Sequence, residues 1–193
     1  MNNKIIRLIS ILSAPFLAID LAIHGGFDNY NPTSGGGLLN FIYMTGWLLN
    51  VIALFKIHSK AKPGVRIVFL VQIAFLCLAD TSNVWSMIEP GSHNNLYTAL
   101  DLFWPISNAF MLVTGLTILL SKKVTGWQRY VPLLVGLWLP TGLALELSLG
   151  QIPMVVSFIG IYSAVAWSFL GLSVYTSPLM EYGEQAAFSR AVA

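Results

Sequence analysis

The sequence predicts an all-α membrane protein, a polytopic transmembrane bundle of six spans forming a single domain over residues 1–193, and three observations predict it. Of the 193 residues, 56% are hydrophobic and only 9% charged, against roughly 25% charged in a soluble domain. Such a chain has too little polar surface to enclose its own apolar side chains. Six apolar stretches are at or near the ~20 residues that cross lipid hydrocarbon. The basic residues, finally, fall near the two ends of the chain and around every second connector.

The first span is expected over 5–23, opened by Lys4 and Arg7. A loop follows over 29–37, where Asn31-Pro32 and three consecutive glycines interrupt the apolar pattern. The second and third spans, 38–55 and 65–88, are joined by a connector carrying Lys56, Lys60, Lys62 and Arg66. Pro90-Gly91 turns the chain into the fourth span, 96–120; Lys122, Lys123 and Arg129 then surround the connector to the fifth, 130–149, and the sixth covers 152–175. Lipid cannot satisfy backbone polar groups, so runs of this kind form helices or a closed barrel, and unbroken apolar runs do not suit a barrel. With Arg190 in the tail, all ten lysines and arginines lie on one side. The positive-inside rule makes that side cytoplasmic, places both termini there, and suits a plasma (inner) membrane. The basic, apolar N-terminal segment also fits a signal peptide, but Asp20 lies late in it and no small-x-small site precedes Gly25, so it is read as an uncleaved span.

Composition sets several classes aside. A net charge of +2 without a basic run does not suit nucleic acid. The lone Cys77 forms no intramolecular disulfide and is expected to be a small buried hydrophobe. No phosphate-binding loop, GxSxG or dinucleotide glycine pattern occurs, so no cofactor is expected, and without HxxxH or HExxH no metal is expected either.

Being in a membrane does not explain four carboxylates, Asp20, Asp80, Asp101 and Glu146, since each costs about 2.5–3.5 kcal/mol at a helix centre and such groups usually face the bundle interior or water. Counted along each span at about 1.5 Å per residue, all four lie roughly 6–14 Å from the outer connectors, which add His24, Asp28, Glu89 and His93. Acids thus collect outside and bases inside.

Helical spacing assigns faces. Ser10, Ser13, Asp20 and His24 share one; Gln72, Asp80, Asn83 and Met87 another; Thr98, Asp101, Pro105, Asn108 and Gly115 a third; and Glu146 lies with Gly136, Leu139 and Gly142. Ser157, Gly160, Ala164, Ser168 and Gly171 form a small-residue stripe for close helix contact, within the bundle or with a helix partner. Pro105 frees the carbonyl of Asp101 and is expected to kink its helix there. Tyr30, Tyr43, Trp85, Tyr97, Phe103 and Trp104 crowd the same region, as an interfacial belt or as the wall of a cation-binding pocket. His58, between lysines, is expected in solvent.

Each acid alone can instead be helix glue, or in the case of Asp101 a complement to the helix dipole. The expectation drawn from all four is an outward cavity for a lipophilic or cationic small molecule reached from lipid or water. Asp80, Asp101 and Glu146 are its acid/base candidates, and Asp20, Asn83, Trp85, Tyr97, Trp104 and Asn108 its ligand contacts. Burial and like-charge proximity would make Asp80 the proton donor and the shallower acids bases or cation stabilisers. A small cation- or proton-coupled transporter, or a subunit of one, is the alternative, weakened because inverted repeats would place an acid near Ser10. A noncatalytic assembly partner is the third reading.

Overall fold

The computed structural model describes residues 3–26, 33–91 and 94–177. Asp28, Tyr30, His93 and Arg190 lie outside them. Among the described residues there are α-helices, one 3-10 turn and no strand. The helices are α1 (Asn3–Leu12), α2 (Phe16–His24), α3 (Ser34–Ile57), α4 (Pro63–Ile88), α5 (Asn95–Asp101), α6 (Phe103–Ser121), α7 (Val131–Gly136), α8 (Trp138–Leu149) and α9 (Pro153–Tyr175), with the 3-10 turn at Gly126–Arg129.

Four segments are long and apolar enough to cross a membrane: α3, α4, α5 with α6 taken together, and α9. The pair on either side of Leu137, bent by 42°, makes a fifth if it is counted as one span. The first expected span, 5–23, is divided between α1 and α2, and among the described side chains its apolar stretch covers Leu8–His24.

The breaks share one cause. Proline lacks a backbone N–H and its ring clashes with the carbonyl four residues earlier. Pro105 and Pro140 each follow the interruption of a helix by three residues, at Leu102 and Leu137, and Pro15 is the last residue of the break between Leu12 and Phe16. The interruption expected from Pro105 is therefore present, one residue past Asp101. Elsewhere ends are capped in ordinary ways: the Thr33 hydroxyl accepts from Gly36 N (3.0 Å) and the Asn94 side chain from Tyr97 N (2.8 Å).

Consecutive segments pack against one another around a closed ring, α9 returns to α1 and α2, and α3 touches α9 across the middle. Glycines allow two of the closest approaches. A Cβ on Gly115 would stand 2.6 Å from the backbone of Leu133, and one on Gly136 2.6 Å from the backbone of Leu112, so α6 and α7 meet main chain to main chain. Gly136 therefore faces α6 rather than sharing the Glu146 side. The small stripe of α9 is used inside the ring at two points, Gly160 against Ala18 and Gly171 against Ile11.

Two hydrogen bonds fix which connectors share an end. Nε2 of His58 lies 3.2 Å from the Ser121 hydroxyl, and Gln128 donates to Thr176 across 2.8 Å. The connectors rich in lysine and arginine and the end of α9 thus lie together. His58 itself is fully buried, with Nδ1 donating to the Leu54 carbonyl at 2.8 Å and its ring 5.1 Å from Phe69. The expectation of a solvated His58 is corrected: the ring plugs the junction between α3 and α6, and burial lowers its proton affinity.

The side-chain distribution is inside out. Ile23, Ile67, Leu120, Leu147, Met154 and Ile161 are among the large apolar residues exposed on the outside, while Ser13, Asp20, Asn50, Gln72, Ser107 and Thr114 are buried. Cys77 is exposed on that apolar exterior, so the expectation that it is buried is corrected. An apolar exterior around a hydrogen-bonded polar interior suits a membrane-embedded protein. In the interior Gln72 donates to the Ser107 carbonyl (3.1 Å) and accepts from Thr114 (3.2 Å), tying α4 to α6. The ring is filled by aromatics: Trp138 stands edge-on to Trp167 at 5.7 Å, and Trp167 contacts Trp47 at 5.2 Å and Tyr43 at 5.4 Å.

Candidate functional site

The end of the bundle opposite the lysine-rich connectors holds a cavity of about 220 Å³ lined by Leu17, Asp20, Leu21, Asn40, Asn83, Asp101 and Trp104. The helices meeting there are α2, α3, α4, α5 and α6. At roughly 30 Å³ per water molecule it has room for about seven, so it takes a small polar group rather than a whole large ligand.

Asp20 is the most enclosed of its polar residues at 2% exposure. Its Oδ2 accepts from Asn40 Nδ2 at 2.9 Å, and the same amide donates to the Gly36 carbonyl at 3.1 Å. Oδ1 carries no hydrogen bond and faces His24 Nδ1 at 3.2 Å. That nitrogen donates to the Asp20 carbonyl at 3.0 Å, so the imidazole is held one turn above the acid. Gly36 keeps this approach close: a Cβ there would stand 3.2 Å from Thr33 Oγ1 and 3.3 Å from Asp20 Oδ1, and those side chains would have to shift by a few tenths of an ångström.

Asp101 reaches the cavity from the opposite wall and is exposed. It is the last residue of α5 and Trp104 is the second of α6, so the interruption before Pro105 places both on one rim. Asn83 completes the wall and leads deeper: its Nδ2 donates to Asp80 Oδ1 at 3.3 Å, while the Thr45 hydroxyl donates to Oδ2 at 3.0 Å. Asp80 is buried behind Asn83 and does not line the cavity.

Of the acids, then, two meet at the cavity, one lies behind its wall, and one lies elsewhere. Glu146 lines a second cavity of about 270 Å³ with Pro105, Trp138, Leu139, Gly142, Leu143, Gln151 and Ile159. Trp104 lines both. Trp85 stands apart, donating from its indole nitrogen to Glu89 at 3.0 Å. Tyr97 is buried where α5 meets α4, its hydroxyl accepting from Ser86 at 3.1 Å. Asn108 is buried below Trp104 and donates to the Trp104 carbonyl at 2.9 Å. The described residues hold no group of three or more His, Cys, Asp or Glu placed to bind a metal ion.

Asn40 is the residue sequence reasoning missed. Its signal was present: Asn40, Tyr43, Trp47 and Asn50 follow the three- and four-residue spacing of one helical face. The second span holds no acid, so no ionisable group marks that face. No protein-family model, curated protein or solved structure matches the chain.

Proposed function

We propose that the chain crosses the membrane six times with both termini in the cytoplasm, and that its outer cavity binds the cationic group of a small lipophilic molecule. What carries the reading is that Asp20 and Asp101, 81 residues apart in the chain, line one cavity with no lysine or arginine among its described lining residues. Two carboxylates, two amides and the face of an indole are groups that solvate a cation, by charge pairing, dipole and cation-π attraction. Asp20 is held ready by Asn40, so little reorganisation accompanies binding. Asp80 is already engaged by Thr45 and Asn83, which favours binding over catalysis by that residue.

The test is a titration of the protein, reconstituted in lipid nanodiscs, with tetramethylammonium, following tryptophan emission because Trp104 lines the cavity. Saturable binding is expected, weakened at least tenfold in Asp20→Asn and in Asp101→Asn, with acetate not competing. Folded Asn variants that titrate like the parent sink the reading.

A further inference from the structure

We infer that the two cavities beside Trp104 are the two halves of one site, and that its ligand is an amphiphilic amine whose cationic head lies between Asp20 and Asp101 and whose apolar tail lies along α8. This rests on the cation-binding reading of the first cavity and extends it to a class of ligand.

The second cavity runs along α8. Leu139, Gly142, Leu143 and Glu146 line it from α8, and their spacing of three, four and seven residues is one face of that helix. Seven residues of helix extend about 10 Å, so the groove is long enough for several methylenes. Trp104, Pro105 and Trp138 wall its side, and Ile159 faces it from α9. Gly142 opens the groove: a Cβ there would meet only the Ile159 side chain, at 3.5 Å, so the absence of a side chain is not imposed by a neighbouring backbone. That distinguishes it from Gly115 and Gly136, whose Cβ positions run into main chain.

The polar chemistry is concentrated at the other cavity. Asp20 is buried and lines the cavity, with His24 Nδ1 at 3.2 Å as the neighbour of its Oδ1, so the strongest place for a cation is there. Apart from Glu146 and Gln151, the groove is leucine, isoleucine, tryptophan, proline and glycine, which suits a chain of methylenes. Trp104 stands between, its ring 5.8 Å from Trp138 and edge-on to it. An indole offers its face to an ammonium group and its body to an alkyl chain, so a single side chain serves both halves.

The experiment uses the same nanodiscs with two probes, tetramethylammonium for the head alone and n-octyltrimethylammonium for head and tail. Partition of the tail into lipid is common to parent and variant, so the ratio of their affinities for one probe reports the groove. Gly142→Leu fills the groove from its floor and is expected to weaken octyltrimethylammonium about tenfold or more, by excluding methylenes, while tetramethylammonium changes less than twofold. Leu139→Trp fills it from the other end of the same face and is expected to do likewise, which keeps the test decisive if one variant does not fold. If tetramethylammonium binds the parent but both probes respond equally to the filled groove, or neither responds, the tail assignment is overturned and the cation site stands. If tetramethylammonium does not bind the parent at all, the cation site itself falls and takes this inference with it.

Discussion

The side-chain amide of Asn40 donates to Oδ2 of Asp20 across 2.9 Å, joining α3 to α2 at the wall of the cavity that Asp20 and Asp101 line. Interhelical hydrogen bonds in membranes contribute about 0.6 kcal/mol on average and up to about 1.7, and a charged acceptor belongs toward the upper end. Asn40→Ala should therefore lower stability by about 1–2 kcal/mol, measured by thermal unfolding in detergent. Asp20→Asn keeps an amide partner for Asn40 and should cost less stability, yet it removes the charge that tetramethylammonium needs. Stability and binding should separate in this pair; variants that lose both in proportion would show that Asp20 is helix glue alone.

Gly115 and Gly136 predict a second contrast. In a helix interior alanine is favoured over glycine by about 0.8–1 kcal/mol. At these two positions the added methyl would meet backbone of the facing helix at 2.6 Å, and backbone cannot rotate away. Gly115→Ala and Gly136→Ala should each be net destabilising by about 1–3 kcal/mol. Gly142→Ala, with ordinary contact to Ile159 at 3.5 Å, should be neutral or stabilising. Thermal midpoints that fail to order the three variants this way would remove the close α6–α7 approach from the fold.

These cases show what the sequence makes legible. Depth along a helix follows from counting residues, and proline chemistry locates the interruption beside Asp101. The same rule applied to Pro15 and Pro140 would have found the other two breaks. Position around the ring does not follow from depth. Glu146 lies at nearly the level of Asp20 and still faces a separate cavity, because α8 approaches Trp104 from the other side. Hydropathy also treats tryptophan as one more apolar or interfacial residue. It could not say that Trp47, Trp138 and Trp167 would meet in the middle of the bundle, since that depends on the bends at Leu137 and on α3 crossing to α9. His58 was misplaced for a similar reason: its neighbours in sequence are charged, but its neighbours in space are Phe69, Leu54 and Ser121.

The buried His58 predicts a pH dependence. Burial lowers its proton affinity below the ordinary value of 6.5, and Lys123 nearby acts in the same direction. The unfolded chain then binds more protons than the native one as pH falls below about 6.5, so stability is full above that value and declines beneath it. One such proton changes stability by at most about 1.4 kcal/mol per pH unit. Thermal midpoints between pH 7.5 and 5.5 should fall in the parent and fall less in His58→Gln, which retains a donor for the Leu54 carbonyl. Equal slopes would mean that other groups set the dependence.

Sidedness supplies the last prediction, because a cavity for an outer ligand is useful only if it faces outward. His58–Ser121 and Gln128–Thr176 put the lysine-rich connectors at one end, and the cavity lies at the other. In the orientation proposed from the positive-inside rule, the first end is cytoplasmic. Cys77 is replaced by serine to give a cysteine-free background, and single cysteines are placed at the exposed positions Lys60 and Pro90, one at each end. In right-side-out vesicles a membrane-impermeant maleimide should label Pro90→Cys directly and Lys60→Cys only after permeabilisation. The reverse pattern would turn the cavity toward the cytoplasm, where its two carboxylates would meet a cytoplasmic amine instead. Equal labelling of both positions in intact vesicles would argue that the segments between them do not cross the bilayer, and the inside-out surface would then need covering by something other than lipid.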